Sequence, residues 1–226
     1  MVFDFSPLII SLKTSIVASV IVSILGILMA RLIINANGKI KWLMDVIFTL
    51  PLVLPPTVVG FLLLIIFGKN SVIGSFLDSI GIPIIFTWQA TLIAAVVVSF
   101  PLMYRAAKGA MEQVDNDLIW AGKTLGLSEL KIFISIIIPQ AWPGIAGGLV
   151  LSFARALGEF GATLMIAGNI PQVTQTMPLA IYFATAGGKM HIAAIWVVLI
   201  ICISCSVLGL MNYWSNREKF LYQRNI

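Results

Sequence analysis

Charged residues are scarce in this sequence. Asp, Glu, Lys and Arg make up only 10% of its 226 residues, whereas about 25% is typical of soluble domains. So few charges cannot cover a surface that faces water, and this excludes a soluble globular protein. With 60% hydrophobic residues, the composition instead indicates an integral membrane protein.

Histidine and cysteine, which supply many metal ligands and redox groups, are also nearly absent. The one histidine, His191, has no ligand partner nearby in the sequence, and Cys202 and Cys205 lie inside an apolar run. Two cysteines in such a run are best interpreted as small hydrophobic residues. No nucleophile–base set accompanies the apolar segments either. We therefore predict no metal site and no catalytic residues, and we predict that this chain is not an enzyme.

Long hydrophobic runs are abundant, and about 20 apolar residues are enough to cross a bilayer. Five runs reach this length, so the predicted fold is an all-α integral membrane protein with five transmembrane helices in one domain, 8–213. The stretch 178–186 is too short to span and is predicted to form a surface or re-entrant helix. The first run is predicted to be a retained helix because it is too long for a signal peptide and no basic segment precedes it. The predicted spans are 8–34, 46–67, 86–104, 144–167 and 192–213, followed by a tail at 214–226.

Lysine and arginine alternate between the connecting loops, and cytoplasmic loops carry the excess of these residues. The first loop, the third loop and the tail are basic, whereas the second and fourth loops have one lysine each, Lys69 and Lys189. We predict that the N-terminus is outside and that the C-terminus is in the cytoplasm. The net charge of +5 therefore reflects topology and does not indicate nucleic-acid binding. The basic residues are Arg31, Lys39 and Lys41 in the first loop, Arg105, Lys108, Lys123 and Lys131 in the third, and Arg217, Lys219 and Arg224 in the tail.

The third loop contains Gly122-Lys123-Thr124, which is how a nucleotide-binding P-loop ends. That motif requires a glycine where this chain has Asp117, and it follows a β-strand. The flanking pattern here is helical, and an aspartate would repel a triphosphate. We predict that this chain does not bind ATP itself.

The same loop, at about 108–140, is predicted to form two short helices joined by a glycine. Asp115 or Asn116 can cap the first helix, Gly126 suits the left-handed conformation that ends it, and Ser128 can cap the second. Pro139 and Pro143 are expected to break the chain before it re-enters the membrane. The residues alone leave two interpretations open. The hairpin is either an amphipathic loop on the lipid surface or a docking site for another protein.

The run AGKTLGLSELKIFISIIIP, residues 121–139, resembles the EAA loop of ABC-transporter permeases. Gly126 takes the glycine position of that motif, and Pro139 takes the proline position. The departures are Trp120 where the family has glutamate, Gly122 where it has the second alanine and Ile138 where it has leucine. The resemblance implies that this loop is the coupling helix that contacts a partner ATPase. The coupling residues that it implies are Trp120, Ala121, Gly122, Leu125, Gly126 and Pro139.

Two further runs, 49–64 and 153–182, are similar to the molybdate and sulfate branch of these permeases, and AGNIP with TQTMPLAIY most resembles the molybdate members. The resemblance implies a type I importer architecture in a prokaryotic cytoplasmic membrane. It also implies a homodimer with two ATPase subunits, which bind the ATP and Mg²⁺, and an external oxyanion-binding protein. The polar outer loop 168–176 is a candidate docking surface for that binding protein. No cofactor is expected on this chain.

Within the spans, two features indicate a translocation pathway or gate. Pro51, Pro55 and Pro56 each remove a backbone N–H from the second span and bend it. Arg155 and Glu159 lie four residues apart in the fourth span, a spacing that places both on one helix face. Because charges inside a bilayer normally pair with one another, a gate, a packing pair and a substrate contact all remain open for these two residues.

The leading function is the permease of an ATP-driven molybdate importer, and tungstate, which has the same charge and nearly the same size, is a possible second substrate. Sulfate, thiosulfate or phosphate are alternative oxyanions. An ion-coupled secondary transporter is a rival from another class, but it needs intramembrane ionisable groups. Only Arg155 and Glu159 qualify for that role.

Overall fold

The computed structural model describes the backbone of residues 4–223 and the side chains of residues 4–209. Every regular element within that part of the chain is helical, as predicted. Four helices are long and apolar enough to cross a membrane, and a bent pair of helices forms either a broken fifth span or a re-entrant loop. The elements are α1 (Ser6–Ile34), α2 (Gly38–Val53), α3 (Pro56–Phe67), α4 (Val72–Ser79), α5 (Trp88–Glu112), α6 (Asn116–Thr124), α7 (Glu129–Ile132), a π-helical turn (Phe133–Ile137), α8 (Ile138–Leu157), α9 (Gly161–Ala167), α10 (Met177–Ala186) and α11 (Met190–Gln223).

The centre of the bundle is formed by α1, α5 and α8, which pack through small residues. A Cβ atom added at Gly148 of α8 would lie 2.5 Å from the Ala106 Cβ of α5, and one at Gly144 would lie 2.6 Å from the Ala110 Cβ. Small residues four apart on both helices let the backbones approach closely, and such contacts drive helix association where lipid removes the hydrophobic effect. Ala18, Ala95 and Ala156 form a buried cluster at another meeting point of the three helices.

The predicted span 46–67 is two helices, α2 and α3, with an angle of 113° between them. Leu54 and Pro55 separate the helices and have ψ angles of 140° and 137°. Both residues precede a proline, and the ring of a proline disfavours the helical conformation in the residue before it. Two such residues in a row therefore break the helix rather than kink it.

The predicted span 144–167 is also divided. The helical path runs from Glu129 to Leu157, stops at residues 158–160 and resumes as α9. The predicted break at Pro139 and Pro143 is wrong, because both prolines lie in helix. Pro139 directly follows the π-helical turn, whose different hydrogen-bond spacing accommodates a residue without an N–H.

The remaining helices agree in kind with the prediction and differ in length. Helix α5 extends to Glu112, well past the predicted end at Tyr104, and the short apolar helix α10 forms as predicted. Helix α11 continues to Gln223, so most of the predicted tail is helical. The side chains of the tail's basic residues lie outside the described residues.

A candidate coupling helix and two broken helices

Helix α6 is defined at both ends by local hydrogen bonds. At its start, the Asp117 N–H donates to Asp115 Oδ1 at 2.9 Å, so Asp115 is the predicted N-cap. At its end, Gly126 has a φ of +75°. The Leu127 N–H donates to the Gly122 carbonyl at 3.1 Å, and the Gly126 N–H donates to the Lys123 carbonyl at 2.9 Å. This is a Schellman ending, and it confirms the predicted left-handed conformation of Gly126.

The next helix begins directly after this turn. The Lys131 N–H donates to Ser128 Oγ at 3.3 Å, so Ser128 is the N-cap that the sequence predicts. Lys123 of α6 and Glu129 of α7 form an ion pair at 2.9 Å across the turn. The α6–α7 unit is therefore a helical hairpin whose path is set by its own residues.

One side of α6 packs against the rest of the helical bundle. Gly122 is buried, and a Cβ atom added there would lie 3.0 Å from Ile136 Cδ1 and 3.3 Å from Ile132 Cγ1. Those two isoleucines belong to α7 and the π-helical turn, so α6 rests on the helical path that continues into the membrane as α8. The small residue at position 122 is what permits this close contact.

Within the described residues, several apolar side chains of α6 are exposed. Trp120 is 62% exposed and Leu125 is 79% exposed, and Leu118 and Ala121 are exposed as well. Of the predicted coupling residues, the structure thus leaves Trp120, Ala121 and Leu125 exposed on the surface of α6. Gly122 lies in the contact with the bundle and Gly126 in the turn. Pro139 lies in the first turn of α8, away from that surface.

The two broken spans meet each other inside the bundle. A Cβ atom added at Gly161 of α9 would lie 3.1 Å from Pro56 Cβ, and one at Gly60 of α3 would lie 2.7 Å from Ala162 Cα. Helices α3 and α9 therefore run side by side from their respective breaks. The structure brings Pro56 next to the Glu159 break, whereas Pro51 lies inside α2, before its break, and Pro55 is the residue that caps α3.

Glu159 is the buried charge at this junction, with only 2% of its surface exposed. Its Oε2 lies 2.8 Å from Nη1 of Arg155, and its Oε1 accepts a hydrogen bond of 2.8 Å from the Ala162 N–H. The predicted pairing with Arg155 is present. The prediction that one helix face carries both residues is wrong, because α8 ends at Leu157 and the pair bridges the break. Glu159 thus ties the end of α8 to the start of α9.

A second set of charges was not identified from the sequence. Lys41 of α2 pairs with Glu112 of α5 at 2.8 Å, and Asp45 of α2 pairs with Lys108 of α5. The Tyr104 hydroxyl also donates to Asp45. Lys41 and Lys108 were interpreted as loop charges, and Asp45 and Glu112 fell outside the predicted spans. Their spacing was an available signal, since Lys41 and Asp45 are four residues apart with opposite signs, and so are Lys108 and Glu112.

Known structures establish the class of protein that this fold defines. The chain superposes on the transmembrane subunit in inward-facing structures of the MetNI methionine ABC transporter with a TM-score of 0.72, at 15% identity over 93% of this chain and 94% of that one. It superposes on a chain of a bacterial alginate ABC transporter, solved with an alginate-bound periplasmic protein, with a TM-score of 0.73, at 18% identity over 94% of this chain and 78% of that one. The fold is that of an ABC-importer membrane subunit.

The chain belongs to the family of binding-protein-dependent transport system inner membrane components, whose model matches residues 22–219. It is 49% identical to the putative molybdenum transport system permease protein YvgM of Bacillus subtilis over 90% of both chains. It is 42% identical to the molybdenum transport system permease protein ModB of Escherichia coli K12, over 95% of this chain and 94% of that one. The sulfate transport system permease protein CysT of Salmonella typhimurium is 33% identical over 76% of this chain and 62% of that one.

Proposed function

We propose that this chain is the permease subunit of an ATP-driven importer of molybdate, with tungstate as a second substrate. The observation that carries the proposal is the extent of similarity to molybdenum permeases, 49% and 42% identity over at least 90% of this chain. The sulfate permease is both less similar and matched over less of its length. In this proposal the chain catalyses no reaction, and ATP and Mg²⁺ bind the partner ATPase.

The mechanism is alternating access driven from outside the membrane domain. Closure of an ATPase dimer moves α6 of each subunit in a homodimer, and the pathway then opens to accept the oxyanion from a binding protein. Hydrolysis returns the pathway to the cytoplasmic side of a prokaryotic inner membrane. The exposed apolar residues of α6 support the first step, and the two breaks that meet at Glu159 support a pathway that changes shape.

The loop 168–176 supports docking of the binding protein at the end of the bundle opposite α6. Thr174 is fully buried, and its Oγ1 accepts from the Ile170 N–H at 3.0 Å. A second hydrogen bond of 3.0 Å joins the Gln175 and Asn169 side chains. Hydrogen bonds within the loop therefore hold its conformation. Ile170 and Val173, which are 36% and 44% exposed, form part of its surface.

The substrate is tested by measuring ATP hydrolysis in proteoliposomes that contain this chain with its ATPase and binding protein. Each of molybdate, tungstate and sulfate is titrated separately, and a sample without binding protein is the control. Stimulation by molybdate and tungstate alone is the expected result. Stimulation by sulfate would contradict the assignment of molybdate as the substrate but would agree with the proposed mechanism. An ATPase that does not associate with this chain would overturn the importer and favour a secondary transporter.

Replacing Trp120 with alanine is expected to weaken ATPase association about 30-fold, because an exposed tryptophan at the centre of a docking face typically contributes about 2 kcal/mol or more. The measurement is the affinity of the detergent-solubilised membrane subunit for the isolated ATPase. Trp142→Ala is the matched control, since Trp142 is 45% exposed on α8. Equal affinities for the two variants would contradict the role of Trp120.

A further inference from the structure

Helix α2 is held to the bundle by few contacts. None of its residues is buried, and it packs mainly against α5. One of its apolar contacts is Phe48, whose ring lies edge-on to Phe100 at 5.4 Å and to Tyr104 at 5.2 Å. Helix α2 is also separated from α3 by the break at Leu54 and Pro55. It is therefore a half-span whose position depends on what fixes it to α5.

The polar contacts between α2 and α5 form an ordered series, which we call the charge ladder and define as Lys41, Asp45, Tyr104, Lys108 and Glu112. The two helices are antiparallel, so moving one turn forward along α2, from Lys41 to Asp45, matches one turn back along α5, from Glu112 to Lys108. Lys108 is the more enclosed cation, with 14% of its side chain exposed. A charge in such a place needs a partner.

The order of signs fixes the register of the two helices. A slip of one turn, about 5.4 Å, would place Lys41 beside Lys108 in one direction and Asp45 beside Glu112 in the other. Both slips bring like charges together and leave other charges unpaired. The ladder therefore opposes sliding of α2 along α5, in addition to joining the two helices.

The ladder also lies between the coupling helix and the break. At one end, Lys41 and Glu112 line a cavity of about 590 Å³ together with Trp120 and Lys123 of α6. Only residues 113–115 separate the end of α5 from the start of α6. At the other end, α2 leads to Leu54 and Pro55, and beyond them α3 packs on α9 beside Glu159.

We propose that the charge ladder makes α2 move in register with the α6 end of α5, so that a displacement of α6 reaches the break at Pro55. This inference rests on the proposed function, because it assigns a transmission role within the ATP-driven cycle. It gives Lys41, Asp45, Lys108 and Glu112 a positioning role. None of them is assigned a contact with the transported anion.

The test reverses charges of the ladder in the complete transporter, reconstituted with its ATPase and binding protein. The single variants change the Lys41–Glu112 pair. Lys41→Glu and Glu112→Lys each place like charges in contact. Reversing all four charges together, with Lys41→Glu, Asp45→Lys, Lys108→Glu and Glu112→Lys, restores both opposite pairs and keeps the alternation of signs that fixes the register. We expect each single variant to assemble and hydrolyse ATP but to lose about tenfold in molybdate uptake per ATP hydrolysed. We expect the four-site variant to recover uptake to within about twofold of the parent protein.

Lys69→Glu is the matched control, because Lys69 forms an exposed pair with Asp78 at 3.9 Å outside the ladder. Its uptake per ATP should equal that of the parent. Single variants that transport like the parent, or a four-site variant no better than the singles, would overturn the ladder proposal alone. A parent complex that does not respond to molybdate would instead overturn the proposed function.

Discussion

Replacing Gly126 with valine is expected to abolish oxyanion uptake and to release the ATPase from the membrane subunit. Gly126 has a φ of +75°, a conformation that costs an L-residue about 1–2 kcal/mol and a β-branched residue more. No atom lies within 4 Å of the position that its Cβ would take, so the effect is one of backbone conformation and not of steric contact. Loss of the turn removes two hydrogen bonds that end α6 and changes the direction in which Trp120 and Leu125 point.

Gly126→Asn is the matched variant for this experiment. Asparagine adopts the left-handed conformation more readily than other non-glycine residues, so this variant should retain most uptake and ATPase association. Uptake into proteoliposomes and co-purification of the ATPase are the two measurements. Normal transport by Gly126→Val would contradict the assignment of α6 as the coupling helix.

Replacing Glu159 with glutamine is expected to reduce uptake by at least about tenfold. The amide oxygen can still accept the hydrogen bond from the Ala162 N–H, so the start of α9 is retained, but Arg155 loses its ion-pair partner. Removing one member of a buried pair costs about 3–5 kcal/mol. A cost of that size can shift the balance between two pathway conformations by more than about a hundredfold. The measurement is uptake and ATP hydrolysis, with and without binding protein.

The double variant Arg155→Gln with Glu159→Gln separates two roles of this pair. It removes both charges, so the thermal stability of the complex should return towards that of the parent protein. Recovered stability without uptake would assign the pair to gating, whereas full recovery of uptake would assign it to helix packing. Unchanged uptake and hydrolysis in Glu159→Gln alone would exclude both roles.

The sequence predicted best those features that depend on neighbouring residues. Asp115, Gly126 and Ser128 act within four residues of their partners, and all three have the predicted role. The all-helical membrane architecture was also predictable, because its long apolar runs are long enough to cross a bilayer. The sequence did not predict where the spans are interrupted or which helices pack against each other.

Two physical reasons explain these omissions. Pro139 was expected to break the chain, but the π-helical turn before it has a hydrogen-bond spacing that tolerates a residue without an N–H. No local pattern predicts that turn. The real break after Leu157 contains no proline, and it is stabilised by Glu159, which bonds to residues on both sides of it. The charge ladder depends on two helices that lie about 60–70 residues apart in the chain, so each half resembles an ordinary loop charge.

The close approach of α3 and α9 limits the ways in which this membrane domain can deform. At Gly60 there is no room for even a methyl group between the two helices, since it would lie 2.7 Å from the Ala162 Cα and 2.9 Å from the Ala162 carbonyl oxygen. Two segments in such contact cannot rotate independently. The four helices α2, α3, α8 and α9 therefore amount to three bodies that can move separately, because α3 and α9 move as one. Hinge motion is confined to the two short connections, 54–55 and 158–160.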